Sequence, residues 1–394
     1  MKKLLALLMV AVMVLGLVAC ANTNAPETDD PQNDVVTTPV EGEGETEPEV
    51  EVEADPAADI KIGAILVHDE NSGYDMAHIE GILGACEALG IPEENVSFKY
   101  NIPEDASCAD AAADLADNGC QIIFSDSYGH QTYMADVARE FPEVTFVACT
   151  GDMAAASGLS NVKNIFPYTY ESRYVSGIVA GMKLAEMLES GEATDAHVGY
   201  VGAFPYAEVV SGYTAFFLGI QSIVPEAYME VQYTNSWYDP VAEGEAANAL
   251  MARGCAIIGQ HADSTGAPSA VQAELDKGNV AYSVGYNIDM LSVSPTAALT
   301  SAQNVWAVLY QATIEAFQAG EVPTDFACGI AQGAQQISAL GPNVAEGTQE
   351  AVDAAWAAIA DGTLNVFDTA NFTVGGETVT TAFALDTDGD WVND

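Results

Sequence analysis

The residues able to do chemistry in this 394-residue chain gather in short polar and aromatic clusters that close apolar runs. In the first half they are His68-Asp69, Tyr74 after a Ser-Gly turn, Ser125-Asp126-Ser127-Tyr128 and Thr150-Gly151-Asp152. In the second half they are Phe204-Pro205-Tyr206, Asn235-Ser236-Trp237, Gln260-His261-Ala262-Asp263-Ser264 and Gly285-Tyr286-Asn287. The inventory is rich in rings and in groups that accept or exchange hydrogen bonds, and it contains no Lys or Arg. That chemistry suits a flat, uncharged, hydrogen-bonding ligand held against aromatic faces, and it suits a phosphate or carboxylate ligand poorly. No P-loop, H-E-x-x-H or G-x-S-x-G pattern occurs, and no Gly-x-Gly-x-x-Gly follows the first apolar run. His261, Asp263 and Ser264 are neighbours in sequence, which is not the geometry of a catalytic triad. The sequence therefore implies a binding protein without cofactor or metal rather than an enzyme.

The apolar runs that position these clusters alternate with helical patterns. Lys61–His68 is a strand-like run and Met76–Leu89 has helical periodicity. Ala109–Asn118 reads as a helix, Gln121–Phe124 as a strand, Gln131–Phe141 as a helix and Val144–Ala148 as a strand. Such alternation predicts an α/β fold with a parallel sheet covered on both faces. The unit then recurs. Asp114-Leu115-Ala116-Asp117-Asn118-Gly119-Cys120-Gln121-Ile122-Ile123 matches Ala249-Leu250-Met251-Ala252-Arg253-Gly254-Cys255-Ala256-Ile257-Ile258 at an offset of 135 residues, and Ile62-Gly63 parallels Val198-Gly199. A repeat this long predicts two similar doubly wound lobes, not a solenoid. Ligands of such sheets sit beyond the carboxyl ends of the strands, where the clusters lie.

Ten basic against 58 acidic side chains leave a net charge of -48, which disfavours binding to nucleic acid or to anionic lipid. Hydrophobic residues make up 49% of the chain, too many for a wholly disordered protein. Lys2 and Lys3 precede an apolar run from Leu4 to Val18, too short to span a bilayer and typical of a secretory signal over residues 1–19. It closes in Leu17-Val18-Ala19-Cys20, which resembles a bacterial lipoprotein signal with Cys20 as the lipid attachment site. Residues 20–59 then read as a tether. Thirteen acids, no base and no aromatic ring lie in residues 21–59, so the segment cannot bury enough apolar area to order itself and its charges repel. As a flexible chain it would span roughly 35 Å. Cys86, Cys108, Cys120, Cys149, Cys255 and Cys328 form no C-x-x-C pair and are expected to be buried free thiols, although a Cys86–Cys108 bridge is open. Asp386-Thr387-Asp388-Gly389-Asp390 has part of the spacing of a calcium loop but not the full twelve residues, and a frayed acidic tail is expected.

The residues between the repeats carry a family resemblance. Val198-Gly199-Tyr200-Val201-Gly202-Ala203-Phe204-Pro205, Glu208-Val209 and Asn235-Ser236-Trp237-Tyr238-Asp239-Pro240 resemble the BMP family of lipoproteins, the purine-nucleoside-receptor type of ABC-transporter substrate-binding protein. Tyr170-Glu171-Ser172-Arg173-Tyr174, Gln260–Ser264 and Leu299-Thr300-Ser301 with Asn304 and Trp306 support it, and the similarity covers about residues 60–320. The resemblance implies a type I periplasmic-binding fold with three crossovers and a hinged cleft. It places lobe one at residues 60–172 plus about 300–325, and lobe two at 173–299 plus about 326–394. It implies a purine base or nucleoside stacked between Tyr74 and Phe204, with Asp126, Trp237 and Asp263 at the other cleft-facing ends and Tyr128 and His261 beside them. Asn287 and Gln303 stand where nucleoside-binding members carry an aspartate and a lysine, a departure that favours a free base. His78 is read as core or ligand contact with equal weight, and Arg173 as an ion-pair partner near the hinge. The expected partners are a purine and ABC permease subunits, and the expected form is a monomer held at the extracytoplasmic face of the cell membrane. A type I sugar receptor and a surface sensor are the alternatives.

Overall fold

The computed structural model describes residues 59–374 and 377–378. The expectations for Cys20, the signal segment, the tether and the Asp386–Asp390 run fall outside these residues.

The first sheet is built from β1 (Ile62–Ile65), β2 (Val96–Lys99), β3 (Ile122–Ser125), β4 (Thr145–Cys149) and β5 (Val162–Pro167). Between them lie α1 (Gly73–Leu89), α2 (Ala106–Asp117), α3 (His130–Ala138) and the single turn α4 (Ala154–Ser157). The chain passes through α5 (Thr169–Ser190) into a second sheet of β6 (His197–Gly202), β7 (Tyr228–Tyr233), β8 (Ile257–His261), β9 (Tyr282–Tyr286) and β10 (Ala298–Asn304), connected by α6 (Ala207–Gln221), α7 (Pro240–Ala252) and α8 (Gly266–Asp276). It returns through α9 (Trp306–Gln318) to β11 (Asp325–Cys328), then goes back to β12 (Gln335–Ile337) and α10 (Thr348–Ala360). A small ribbon of β13 (Thr373–Val374) and β14 (Glu377–Thr378) follows.

The strand orders are β11-β5-β4-β3-β1-β2 and β12-β10-β9-β8-β6-β7, so the sheets correspond strand for strand. Every neighbouring pair is parallel except β10 with β12. The repeat seen in the sequence is therefore the repeat of the fold. Both of its Gly-Cys steps end a helix with a glycine in the left-handed region, Gly119 at φ 87° and Gly254 at φ 95°, which no β-carbon tolerates cheaply. The next residues explain the apolar doublets. Ile122 packs on one face of its sheet and Ile123 on the other, and Ile257 and Ile258 do the same in the second lobe. Strands buried on both faces read as continuous apolar runs.

The chain changes sheet after Tyr168, after Asn304 and after Cys328, where the family resemblance puts the changes near 172, 300 and 325. Buried hydrogen bonds knit the crossovers together. Thr169 Oγ1 donates to Asn304 Oδ1 at 3.0 Å, Gln335 Nε2 donates to the same oxygen at 2.8 Å, and Ser172 Oγ donates to Gln335 Oε1 at 2.6 Å. The helix α1 starts three residues before its periodic run because the Ser72 hydroxyl accepts the Asp75 N–H as a cap. All six described cysteines are free and buried, and the Cys86–Cys108 bridge is not formed.

Candidate functional site

The carboxyl ends of both sheets face a common cleft lined by Val67, Tyr74, Asp126, Ser127, Tyr128, Thr150, Glu208, Trp237, His261, Asp263 and Tyr286. The lobes are closed over it. His68 of the first lobe has its ring centroid 5.6 Å from that of Tyr238 in the second, and Tyr128 stands 5.7 Å from Tyr206.

On the first-lobe wall, Asp126 follows β3 and accepts the Val67 N–H at 3.0 Å, so its carboxyl ties the ends of β1 and β3 together. Tyr74, in the first turn of α1, donates its hydroxyl to the Asp126 carbonyl at 2.5 Å. The Asp126 carboxyl also faces the buried carboxyl of Asp75, to which it donates a hydrogen bond when protonated. Burial, reinforced by the neighbouring Asp75, pushes the Asp126 carboxyl well above the usual range and favours its protonated form. Asp75 is held low on balance: burial raises it, but hydrogen bonds from His68 and Ser72 outweigh that penalty. Thr150 closes β4 at φ 64°, an uncommon conformation for a β-branched residue and one that aims its side chain at the cleft. His78, in contrast, lies in the core, with Nδ1 2.5 Å from the Tyr310 hydroxyl and its ring against Trp306. Burial drives its pKa down to about 3, so it is a neutral packing residue.

On the second-lobe wall, Trp237 projects from the loop before α7, His261 ends β8, Asp263 follows it and Tyr286 ends β9. Asn287 is at φ 64° and donates its amide to Asp263 Oδ1 at 2.8 Å, while Gln303 Nε2 donates to the Asn287 carbonyl at 3.0 Å. Burial and then the nearby Glu243 push the Asp263 carboxyl well up. His261 Nε2 lies 3.5 Å from Glu208, yet burial and then Arg173 lower the imidazole to about 4, so this is a contact of a neutral ring rather than an ion pair. Arg173 is buried behind the wall. Its guanidinium lies 3.8 Å from the Tyr286 ring centroid and donates to the Gln260 carbonyl at 2.5 Å. No carboxylate pairs with it among the described residues, so the expected ion pair is replaced by a cation–π contact.

Six of the residues expected from sequence line the cleft together: Tyr74, Asp126, Tyr128, Trp237, His261 and Asp263. Phe204 and Asn287 do not. Phe204 stacks on Tyr206 with centroids 5.0 Å apart and meets Trp237 edge-on at 5.2 Å, while Asn287 is spent on Asp263. The rings that line the cleft opposite Tyr74 and Tyr128 are thus Trp237 and Tyr286, not Phe204. Glu208 was absent from the sequence-based set. The repeat contained a signal for it, since it is the second residue of α6 just as Tyr74 is the second residue of α1.

The two α/β lobes thus enclose a cleft of rings and carboxyls with no Lys or Arg among its described lining residues. A family model for PnrA-like ABC-transporter substrate-binding proteins, Bmp, matches residues 67–366. The chain belongs to the Bmp family. It is 34% identical over 252 residues to a purine-binding protein of Brucella abortus, covering 64% of this chain and 67% of that one. It is 33% identical over 253 residues to a protein of Haloferax volcanii named for glucose binding in an ABC transporter, covering 64% of this chain and 60% of that one. In structure it is similar to an ABC-transporter solute-binding protein of Conexibacter woesei, with a TM-score of 0.60, 21% identity, and 78% of this chain and 98% of that chain covered. As a Bmp-family member the chain is an extracytoplasmic substrate-binding protein of an ABC transporter, not an enzyme. No helix among the described residues is long and apolar enough to cross a membrane.

Proposed function

We propose that this Bmp-family protein captures a free purine base outside the cell and delivers it to an ABC permease as a monomer held at the membrane by a lipid on Cys20. The observation that carries the reading is the composition of the cleft: rings and carboxyls from both lobes, with no Lys or Arg among the lining residues. A purine held against a ring gains about 0.5–1.5 kcal/mol per ring pair beyond burial. Asp126 on one wall and Glu208 and Asp263 on the other offer carboxyl groups to the polar edges of a base. An ionised carboxyl accepts from its N–H groups, and a protonated one, the form burial favours at Asp126 and Asp263, donates to a ring nitrogen or carbonyl. A free base carries an N9–H where a nucleoside carries its ribose. Asn287 and Gln303 point the same way, because their amides are engaged within the second lobe. A ligand bridging both walls favours the closed arrangement by its greater affinity for that state.

The similarity to the Haloferax protein supports a second reading, a sugar receptor whose carboxyls accept from hydroxyl groups. Calorimetric titration of the chain from Asp59 onward with adenine, guanine, hypoxanthine, xanthine, their nucleosides, ribose and glucose separates the two. Tight binding of a base with at least tenfold weaker nucleoside binding is the expected result. Nucleoside preference would remove the argument from Asn287 and Gln303. Glucose or ribose binding with silent purines would replace the purine reading by the sugar one.

A further inference from the structure

The second-lobe wall hangs on two loops that leave the sheet at its carboxyl edge. One runs from Thr234 to Asp239 and carries Trp237, and the other follows β8 and carries Asp263. The Thr234 and Asn235 N–H groups tie the first to the Gly202 and Ala203 carbonyls. Gln260 Nε2 on β8 ties the second by donating to the Ala262 carbonyl at 2.7 Å and the Ser264 carbonyl at 2.9 Å. A side chain outside the lining joins them. Glu243, in the first turns of α7, is fully buried. Its Oε1 accepts the Asp239 N–H at 3.3 Å and the Ser264 N–H at 3.2 Å. The first bond belongs to the end of its own helix, where Asp239 already caps the Val241 and Ala242 N–H groups at 3.0 Å. The second belongs to the other loop, so the carboxyl does more than cap. Its remaining oxygen has no hydrogen-bond partner.

We propose that Glu243 is the positioning residue of the ligand site, the acceptor that locks the Trp237 loop to the Asp263 loop. Two further contacts show how closely the loops must fit. The Asp263 N–H donates to the Trp237 carbonyl at 2.8 Å, so the backbone of one lining residue holds the backbone of another. Gly266 lies against the Pro240 backbone with no room for a β-carbon. Burying a carboxyl is costly, and an apolar side chain would fill the same space without that cost. What an apolar side chain cannot do is accept from two loops at once. Removing the acceptor would leave the Ser264 N–H buried and unpaired, and the loop would shift to find water. Asp263 would move with it, one residue away.

The inference concerns the wall and rests on this cleft being the ligand site, whichever ligand it takes. Wild type is titrated first with adenine, guanine and glucose, and the one that binds tightest is the probe. Glu243→Met keeps the volume and loses the acceptor, whereas Glu243→Gln keeps both. The expected result is at least tenfold weaker binding for E243M, with E243Q within threefold of wild type. Binding of E243M within threefold of wild type in a folded sample would overturn the proposal, as would equal weakening of both variants. If E243M does not fold, hydrogen exchange on the wild type decides: the Asp239 and Ser264 amides should exchange slowly and together, and fast exchange at either would refute the lock. Should glucose bind and purines fail, the purine reading falls while the Met–Gln comparison still reports on Glu243.

Discussion

Single side chains in the cleft divide into those that line it and those that hold the lining, and substitutions should separate the two. Trp237 lines the wall, whereas Phe204 packs behind it on Tyr206. Removing the Trp237 ring should weaken ligand binding by roughly 10- to 100-fold, the range of a central aromatic anchor. Phe204→Ala should cost less than about threefold by the same reasoning. Titration of both variants checks this, and a larger loss for Phe204 would restore it as the ring facing Tyr74. Glu243 makes a second, independent prediction. Burial raises its carboxyl to about 7 from an ordinary 4.5. The folded state then binds more protons than the unfolded chain between those values, so stability falls as pH rises from about 4.5 to 7 and is level above. The shift is worth at most about 3 kcal/mol. Urea unfolding across that range should show the decline in wild type and a flatter profile in E243Q. Equal slopes would mean that the Glu243 carboxyl has the same pKa in the folded and unfolded chain.

At the scale of elements, the second lobe depends on how closely α5 approaches α6. A β-carbon at Gly177 would overlap the Phe216 carbonyl, and one at Gly219 would overlap the Tyr174 carbonyl, so the two helices touch backbone to backbone. Overpacking of this kind typically costs 1–3 kcal/mol. Gly177→Ala should therefore lower the unfolding free energy by about that amount, read as a lower urea midpoint, and an unchanged midpoint would show that the helices can separate. The elements also explain which parts of the fold were legible. β1, β3, β6 and β8 are buried on both faces, so they stand out as apolar runs and their repeat is visible. β2 and β7 lie at sheet edges and are only partly buried, as Val-Ser-Phe-Lys and Tyr-Met-Glu-Val-Gln-Tyr, and their pattern is correspondingly weak.

For the whole molecule, the proposed function turns on the closure of one lobe over the other. Tyr206 and Tyr238 of the second lobe, which are not among the lining rings, reach Tyr128 and His68 of the first. Each contact is worth about 0.5–1.5 kcal/mol and exists only when the cleft is shut. Tyr206→Ala or Tyr238→Ala should speed ligand release by roughly 2- to 10-fold with the association rate little changed, because related binding sites differ mainly in dissociation. Stopped-flow measurement of both rates checks this. A slower association rate with unchanged release would place these rings on the entry path instead.

Much of this protein is determined by its sequence alone. The two parallel lobes, the repeat that relates them, the acidity and the Bmp motifs depend on local periodicity and spacing, which survive in a linear string. The strand ends that line the cleft are local too, which is why Tyr74, Asp126, Tyr128, Trp237, His261 and Asp263 were legible as its lining. Only the tertiary structure decided that Phe204 turns to Tyr206, that Asn287 is spent on Asp263, and that Arg173 lies beneath Tyr286. Each of these depends on partners brought together by three crossings between the sheets. A side chain's direction after a strand end is set by packing with residues distant in sequence, and no local pattern encodes it.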